Sequence, residues 1–483
     1  MKRFSFIATF LVAVLVLIGC PTDSDSNDGK PIPGPNDVGV LVMGSGGAGF
    51  SAAIAAKTAN PNARVVIVEK TAATGGATRM SGQLVKMPRD DTPEEIERFK
   101  NYMIMRGRGQ SDPALITKWA ENARTVVGYY TDISTLTKSS SGTNPEQDMH
   151  TFPNIIPTLE TKARNLGVEV WVNCRGMSLI VENGAVVGAM VKHTAASEET
   201  RINVKGGVIL ATGGYNRSSE LLTEFNPTTV NDPPGSHVGH DGDGIIMARR
   251  DAGAALSMKG GRIGYMSGRH ITSEGTFNNY YNGITVPAEN TPGTNFAGYQ
   301  YTSLAAVTYE VNGRSDYAVA RRFADEERAA AVAAGRGATF KLWNVSKQNT
   351  QGTAGNTFNS IDELADYLLP DMRTGITKQN VVDALTTMYG GNDWTTAQQG
   401  YTWYRAAIVS SYSDLGTIGG IKVNADGQVI RASDSKPITG LYAVGETANG
   451  DVFYLEYPGS GSSNSSCLTL GWFTGTHAGN RSR

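Results

Sequence analysis

Short apolar runs and helix-forming stretches alternate near the start of this 483-residue chain. Val38–Met43 is an uninterrupted apolar run of the kind that forms a buried parallel strand, and Ser51–Lys57 is rich in alanine, which favours a helix. Arg64–Val68 predicts a second strand. Because strand, helix and strand follow one another closely, the pattern indicates an α/β fold.

An earlier apolar run, Phe4–Ile18, follows two basic residues and ends just before Cys20. The run is too short to span a bilayer and is typical of a signal peptide. A Cys directly after Leu-Ile-Gly resembles the bacterial lipobox, in which the Cys is acylated and becomes the first mature residue. The alternative is an ordinary signal peptide with a chance Cys. We expect residues 1–20 to be a lipoprotein signal peptide.

Residues 21–36 are rich in Pro, Asp, Ser, Gly and Asn, which is the composition of a flexible tether. We therefore predict an exported protein whose Cys20 carries a lipid anchor in a bacterial membrane, on the periplasmic or outer face. No other segment of the sequence is apolar enough to predict a membrane span.

The composition narrows the classes of function. About 460 residues remain after the signal peptide, which favours two domains or one domain with a large insert. The 43 basic and 45 acidic residues nearly balance, and no basic run predicts nucleic-acid binding. Beyond Cys20 only Cys174 and Cys467 remain, without a CxxC or CxxCH motif. The sequence leaves open whether these two cysteines pair.

A glycine-rich segment, Gly44-Ser45-Gly46-Gly47-Ala48-Gly49, lies between the first predicted strand and its helix. Gly44 permits a tight turn, Gly46 lets the backbone approach a pyrophosphate at the helix N-terminus, and Gly49 lets helix and strand pack closely. Glu69 ends the second strand, where an acidic residue binds a ribose hydroxyl. The segment therefore predicts a dinucleotide site.

Four further motifs resemble those of the fumarate reductase/succinate dehydrogenase flavoprotein superfamily, in family order and over about Asp37 to Gly479. In the family these motifs contact the diphosphate, the ribityl chain and the ring of FAD. The matching stretches are Glu69-Lys70 with Gly75–Gly82, Val208–Gly214 (LATGG), Gly242–Ala254 (GDGxxMAxxAGA) and Gly440–Glu446 (GLYAxGE).

The resemblance implies non-covalent FAD, because covalent members carry a His just after a Gly-Gly pair and Gly76–Ser81 contains none. It also implies a set of FAD-binding residues. These are Gly44, Gly46, Gly47, Ala48, Gly49, Glu69, Lys70, Gly75, Gly76, Ala77, Thr78, Ser81, Gly82, Ala211, Thr212, Gly213, Gly214, Asp243, Gly445, Glu446, Ser462 and Ser463.

The fold implied by the resemblance is α/β, a Rossmann-like FAD-binding domain with an inserted α+β capping domain. We expect residues 37–261 and 406–483 to form the two parts of the FAD-binding domain. Residues 262–405 would form the cap, with a helix over Ala318–Ala334. In the family the cap closes over the flavin, and the substrate lies between the two domains.

Fumarate-reducing members hold their dicarboxylate with a His before TMGG, an Arg in GANRLGGN and a cap His in HPT. In this chain Gly416 takes the first position, Pro458 lies near the second and Tyr265 near the third. A buried dicarboxylate needs cationic partners. The sequence therefore predicts a small substrate other than fumarate, with a C=C or CH–CH bond next to a carbonyl or carboxylate.

Tyr457-Pro458-Gly459-Ser460-Gly461 resembles the YxGxG stretch of the 3-ketosteroid dehydrogenases of the same superfamily. There, the Tyr hydroxyl and the last Gly N–H polarise a ketone oxygen, so Tyr457 and Gly461 are candidate catalytic residues. The alternative is that Tyr457 packs against the flavin and the glycines only let the backbone approach. We expect a helix over about Ser462 to Gly475, whose N-terminus would stabilise the reduced flavin.

The acid or base of the cap is harder to place. Residues 320–326 resemble the family's GKRFxNE, so Arg328 is the nearest candidate for its proton-donating Arg; the alternative is a surface Arg on a helix. Tyr265, Tyr280 and Tyr281 are other candidates, and the sequence does not rank them.

Two histidines, His237 and His240, stand three residues apart and could share a helical face. They directly precede Gly242-Asp243-Gly244, a flavin-side turn in the family, and no third ligand has a suitable spacing. We therefore predict no metal site here.

No haem motif and no second GxGxxG unit is evident, so we expect a separate electron donor or acceptor, a quinone or a redox protein. The sequence as a whole predicts an FAD-dependent oxidoreductase acting on CH–CH bonds. Two alternatives stay open: a non-catalytic flavin-binding or electron-relay lipoprotein, and a true fumarate reductase with an altered clamp.

Overall fold

A mixed sheet with a parallel centre organises the protein, as seen in a computed structural model. The structure describes residues 37–107, 109–138, 148–226, 230, 236–266, 269–272, 277–279, 298–301, 342–348, 356–358, 360–369, 377–379, 382, 403–409, 413–454, 457–459 and 461–483. The predicted signal peptide and tether lie outside these residues. So do Arg328, Tyr280, Tyr281 and the predicted helix Ala318–Ala334.

The central sheet contains eight strands of the described part of the chain, and its longest path has the order β18-β19-β9-β1-β2-β6. Strands β7 and β8 extend it from β9 as an antiparallel meander. The strands are β1 (Asp37–Met43), β2 (Val65–Val68), β6 (Glu169–Trp171), β7 (Cys174–Glu182), β8 (Ala185–His193), β9 (Thr200–Leu210), β18 (Gln428–Ile430) and β19 (Pro437–Ala443).

The strands at the centre of the sheet are parallel and apolar because helices cover them. β1 pairs in parallel with β2 and β9, and Val40–Met43 are fully or almost fully buried. β19 pairs in parallel with β9, so the C-terminal part of the chain completes the sheet begun at the N-terminal part. This arrangement confirms the predicted α/β fold class.

Ten helices of four or more residues are described. They are α1 (Gly47–Ala59), α2 (Gly76–Met80), α3 (Pro93–Arg106), α4 (Pro113–Tyr130), α5 (Ile155–Asn165), α6 (Ser219–Phe225), α7 (Asp243–Ala252), α8 (Ile361–Leu368), α9 (Gly450–Phe453) and α10 (Ser462–Arg481). Two short 3₁₀ turns cover Ile133–Thr135 and Gly445–Thr447. The last helix therefore runs six residues beyond the end expected at Gly475.

Helix α10 crosses α1 at very close range because small residues recur every four positions. A Cβ added at Gly475 would lie 1.9 Å from the Ala52 carbonyl oxygen, and one at Gly479 would lie 2.5 Å from that of Ala56. The Ser51 hydroxyl donates to the Leu468 carbonyl across the same contact at 2.6 Å. This packing holds the N-termini of α1 and α10 at the same edge of the central sheet.

Three smaller sheets account for the other strands. The first has the order β12-β11-β10-β17, the second β13-β14-β16-β15 and the third β3-β5-β4. Their strands are β3 (Leu84–Met87), β4 (Thr137–Lys138), β5 (Asp148–Thr151), β10 (Leu256–Met266), β11 (Arg269–Thr272), β12 (Phe277–Asn279), β13 (Gly298–Tyr301), β14 (Leu342–Gln348), β15 (Asn356–Phe358), β16 (Trp403–Val409) and β17 (Ser413–Ile421). The predicted limits of the capping domain, 262–405, stay a prediction.

Candidate active site

A cleft of about 330 Å³ opens at the carboxyl ends of β1, β2 and β9, where ligands bind in open α/β sheets. It brings together most of the residues predicted for FAD and two candidate catalytic residues, Tyr457 and Gly461. Those lining it are Gly44, Gly46, Gly47, Ala48, Glu69, Lys70, Gly76, Ala77, Thr78, Ser81, Gly82, Ala211, Thr212, Gly213, Asp243, Glu446, Tyr457, Gly461 and Ser463.

The other five predicted FAD residues support the cleft from behind. A Cβ at Gly49 would meet the Gly44 carbonyl oxygen at 1.9 Å, and Gly75 (φ +112°) packs on Arg79. The remaining three are Gly214, which abuts Glu446, Gly445, which faces Ala48, and Ser462, which is fully buried.

The turn between β1 and α1 has the geometry that a bound phosphate group needs. Gly44 has φ +105°, and a Cβ there would lie 2.2 Å from the Ala211 carbonyl oxygen, so only glycine fits. A Cβ at Gly46 would meet no atom closer than 3.9 Å, so the space in front of this residue is open. Helix α1 starts here with no acidic residue in its first turn, and its capping residue Gly46 has no side chain, so its dipole favours an anion. Of its first amides, Gly47 N donates to Thr78 Oγ1 at 3.2 Å.

Glu69 is buried at the end of β2, and protein donors already bind both of its carboxylate oxygens. Oε2 accepts hydrogen bonds from Ser45 N at 3.0 Å and Ser45 Oγ at 2.8 Å. Oε1 accepts from Thr71 N at 2.9 Å and Thr71 Oγ1 at 2.8 Å. The carboxylate therefore locks the glycine turn to the strand end, and a ribose hydroxyl would join or displace these donors.

Beside Glu69, a network of four charged side chains forms one end of the cleft. Lys70 Nζ donates to Asp241 and, at 3.0 Å, to Asp243 Oδ2. Arg175 Nε donates to the same Asp243 oxygen at 2.9 Å. Burial raises the pKa of Asp243, but the hydrogen bond from Arg175 and the charge of Lys70 outweigh it and hold the pKa below its usual value. We call these four residues the charged end.

Glu446 also lines the cleft, and its side chain is only 14% exposed. Its Oε1 accepts from Thr417 N at 2.6 Å and lies 3.6 Å from His240 Nδ1. Burial raises the pKa of Glu446 to about 7, although the hydrogen bonds from Thr417 act in the opposite direction. A Cβ at Gly416 would meet Glu446 Oε1 at 2.5 Å, so this carboxylate occupies the space that a side chain at 416 would need.

Tyr457 and the start of α10 form the opposite end of the cleft, which we call the loop end. The Tyr457 hydroxyl accepts a hydrogen bond from Ser463 N at 3.3 Å, and its ring packs edge-on against Phe453. Gly461 caps α10 with φ +80° and offers no side chain to the helix. The buried Ser462 hydroxyl has no hydrogen-bond partner among the described residues. The helix N-terminus therefore keeps polar groups available for a ligand.

Tyr265 lies on β10 and pairs with Ser413 of β17. Two residues earlier on β10, Ile263 pairs with Gly416. The strand pairing therefore brings Tyr265 near the strand that carries Gly416. Its predicted role as an acid or base, like that of Arg328, stays a prediction.

Sequence reasoning missed several residues of the cleft. His237 and His240 line the cleft, whereas their spacing in the sequence was considered only for a metal site. The signal was their place directly before Gly242-Asp243-Gly244. Cys174 and Cys467 also line the cleft, and both are free thiols, so they do not pair. Within the described residues no group of three or more His, Cys, Asp or Glu could hold a metal ion.

The geometry fits FAD. The open space at Gly46, the N-termini of α1 and α10, whose capping residues are glycines, and the unpartnered Ser462 hydroxyl all lie on one continuous cleft or at its wall. Gly44–Ala48 and Gly76–Thr78 would hold the diphosphate, Glu69 the ribose, Glu446 the ribityl chain, and Ser462 and Ser463 the flavin ring.

Comparison with known proteins agrees with this geometry. A family model described as FAD binding domain matches residues 39–140, 131–260 and 356–463. A probable fumarate reductase of Shewanella frigidimarina is 25% identical over 452 residues, covering 89% of this chain and 73% of the relative. An acrylate reductase flavoprotein subunit of Shewanella woodyi is 24% identical, covering 93% of each chain.

Among solved structures, a 3-ketosteroid Δ4-(5α)-dehydrogenase from Rhodococcus jostii has the same fold. Its TM-score is 0.64 at 18% identity, and the match covers 92% of this chain and 97% of that one.

Proposed function

The chain belongs to the FAD-binding-domain family and is an FAD-dependent oxidoreductase that acts on CH–CH bonds, and we propose that its substrate is not fumarate. The substrate is instead an unsaturated carbonyl compound or an unsaturated monocarboxylic acid. The relatives named as fumarate and acrylate reductases support the reaction class. The choice of substrate depends on the cleft of this chain.

The observation that carries the proposal is the charge of the loop end. Among the described residues lining the cleft, the lysine and arginine side chains are Lys70 and Arg175, and both are bound by Asp243 at the charged end. The loop end instead presents Tyr457, Ser463 and Asn464, which are polar and uncharged. A dicarboxylate in a buried site needs cations, whereas a carbonyl oxygen needs hydrogen-bond donors.

Tyr457 is the donor best placed to polarise such a carbonyl. Its hydroxyl accepts the Ser463 N–H at the positive end of α10, and a hydroxyl that accepts a hydrogen bond becomes a stronger donor. FAD, when bound, supplies or accepts the hydride. The Tyr457 hydroxyl would donate to the substrate oxygen, where negative charge develops as the neighbouring double bond is reduced.

Anaerobic re-oxidation of the dithionite-reduced flavoprotein tests the proposal. Fumarate, urocanate, cinnamate, a cyclic enone and a ketosteroid would each be mixed with the reduced protein while flavin absorbance is followed. We expect the flavin colour to return with one class of unsaturated carbonyl compound or monoacid. If fumarate alone restores it, the proposal is wrong; if only ferricyanide or a quinone does, an electron relay replaces it.

Substitution of Tyr457 sharpens this test. Tyr457→Phe should slow re-oxidation by the active acceptor about 100-fold, because one preorganised donor is lost. Tyr442→Phe is the matched control, since the Tyr442 hydroxyl binds His477 Nδ1 at 3.0 Å and does not line the cleft. Equal rates in both variants would remove Tyr457 from the mechanism.

We also propose that the protein is exported, lipid-anchored at Cys20, and exchanges electrons with a separate quinone or redox protein. Among the helices of the described chain, none is long and apolar enough to cross a bilayer. The description of one relative as a flavoprotein subunit supports a separate electron partner. In cells fed radiolabelled palmitate, the wild type should be labelled and recovered with membranes, and Cys20→Ala should be neither. A wild type that takes up no label would contradict the anchor.

A further inference from the structure

A buried lysine holds the loop that forms the loop end of the cleft. Lys86 lies on β3 and is 5% exposed. Its Nζ donates to the Pro458 carbonyl oxygen at 2.8 Å, and its backbone N–H donates to the Gly461 carbonyl oxygen at 3.2 Å. A Cβ at Gly459 would lie 3.4 Å from Nζ. One residue therefore contacts three of the described positions of the loop, on both sides of Ser460.

The surroundings of this ammonium group are unusual. Lysine is almost never fully buried without a charged partner, and the described residues contain no carboxylate within ion-pair distance of Lys86. The Tyr102 ring lies 5.9 Å from Nζ, and Arg106 places a second positive charge nearby. Burial first, and then the charge of Arg106, lower the pKa of Lys86 to about 7.

We propose that Lys86 is a positioning residue of the active site, whose ammonium group holds Tyr457–Gly459 and Gly461 in place and releases them when it loses its proton. The inference rests on the proposed function, because that function makes the loop the substrate-binding end of the cleft. Lys86 itself does not line the cleft, so it acts through the loop.

The mechanism follows from the strength of the hydrogen bond. A charged N–H donor binds a carbonyl about twice as strongly as a neutral one. Loss of the proton therefore weakens the attachment of Pro458 while the backbone bond to Gly461 remains. Tyr457, one residue before Pro458, would then lose its fixed distance from Ser463 N.

The titratable or charged groups shown next to Lys86 are Tyr102 and Arg106 on α3, and Tyr457 lies on the loop that Lys86 holds. On β5 the strand partner of Lys86 is Met149, whereas His150 pairs with Val85 on the other face of the strand pair. Arg124 on α4 donates to the carbonyl oxygens of Pro88 and Arg89. Arg106 is the one whose charge acts on the protonation of Lys86.

Hydrogen exchange of the FAD-loaded protein, read by mass spectrometry, tests the proposal without any substrate. The protection factor of a peptide covering 455–463, corrected for intrinsic exchange, would be measured at pH 6.0 and pH 8.5. We expect at least a fivefold fall in wild-type protection between these two values. The strand Asp37–Met43 serves as the internal reference and should show no comparable change.

Variants separate the role of the charge from that of packing. Lys86→Met should show low loop protection at both pH values, whereas Lys86→Arg, which stays charged, should show no fall between them. Lys57→Met is the matched control, because Lys57 Nζ also donates to a backbone carbonyl, that of Ala63, at 2.8 Å. It should leave the loop profile of the wild type unchanged.

A flat wild-type profile, or a Lys86→Met protein with wild-type protection, would overturn the proposal. The wild-type profile needs no variant, so the test holds if Lys86→Met does not fold. A negative result here leaves the re-oxidation experiment untouched, and failure of every acceptor there leaves this exchange profile untouched.

Discussion

The two ends of the cleft differ in where their charged side chains lie. At the charged end, Lys70 and Arg175 share Asp243, and Lys70 also binds Asp241, so charges of both signs face the cleft and neutralise one another. At the loop end the described residues that line the cleft are uncharged, and the ammonium group of Lys86 lies behind the backbone. A charge in the cleft would contact a ligand directly, whereas a charge behind the backbone acts through the position of the loop.

This difference explains how a fold shared with fumarate reductases can present a different substrate site. Under the proposed function, selectivity at the loop end would depend on the Tyr457 hydroxyl and the N-terminus of α10 rather than on a set of cations. Glu446 also lines the cleft and, like Lys86, has a pKa that burial shifts to about 7. Three experiments test whether the two ends of the cleft differ in this way.

The largest effect is expected from placing a histidine at position 416, beside the Glu446 carboxylate. Gly416→His restores the residue type that fumarate-reducing members carry, but its Cβ would lie 2.5 Å from Glu446 Oε1. Displacing this buried carboxylate from Thr417 should raise the Kd for FAD on the order of 1,000-fold, since overpacking and a lost buried hydrogen bond add. Flavin fluorescence titration measures this.

Gly416→His combined with Glu446→Ala is the matched control, because it removes the collision. The double variant should bind FAD more tightly than Gly416→His alone. If Gly416→His itself bound FAD tightly and reduced fumarate, the cleft would have room for a dicarboxylate-binding histidine. The proposed difference from fumarate reductases would then be wrong.

An intermediate effect is expected on the pH dependence of the free energy of unfolding. The folded pKa of Lys86, about 7, is below its unfolded value of 10.5, so the unfolded chain binds more protons and stability rises from pH 7 to about 10.5. The folded pKa of Glu446, about 7, is above its unfolded value of 4.5, so stability falls from pH 4.5 to 7. At about 1.4 kcal/mol per pH unit, the contributions over these windows are on the order of 5 kcal/mol for Lys86 and 3 kcal/mol for Glu446.

Urea unfolding of the protein at pH 5, 7 and 9 measures both slopes. Lys86→Met should abolish the rise above pH 7 and leave the fall below it. Glu446→Gln should do the reverse. If either variant removed both slopes, the two groups would be titrating as one unit, and the separation of the two regions would be wrong.

The smallest effect is expected at the charged end. Lys70→Met leaves Asp243 with Arg175 but removes one cation from the cleft, and we expect the Kd for FAD to rise about tenfold, as for one partly buried ion contact. The rise should shrink only slightly in 0.5 M salt, because a partly buried ion contact is screened less than an exposed one. Lys118→Met is the control, since Lys118 pairs with Asp426 away from the cleft. An unchanged Kd for Lys70→Met would show that the network is structural only.

Much of the FAD site was predictable because it depends on local backbone geometry. Gly44 must adopt φ +105°, and Gly49 must lie against the Gly44 carbonyl, so the residue types at these positions are visible in the sequence. Nineteen of the predicted residues line the cleft, including Tyr457 and Gly461. Asp243 was predicted as a cofactor residue, but its ion pairs with Lys70 and Arg175 were not.

The residues that were missed lie far apart in the chain and meet only in the fold. Lys86 follows the predicted FAD stretch Gly75–Gly82 by four positions, and no local pattern links it to Pro458, 372 residues away. Arg175 meets Asp243 across 68 residues for the same reason. Sequence spacing cannot report such contacts, because they depend on how β3, β7 and α7 pack around the cleft.

The amino-acid sequence alone is enough to identify the α/β fold class, the dinucleotide turn and the FAD family, and it predicts that the dicarboxylate clamp is missing at Gly416 and near Pro458. These features follow from residue types at short spacing, where backbone conformation and strand order constrain the choice. The packed fold is needed to see that Glu446 fills the space at Gly416, that Cys174 and Cys467 stay apart, and that the buried Lys86 contacts the loop of Tyr457. Burial, which shifts both titrating groups toward neutrality, is a property of packed elements and has no local signature in the chain.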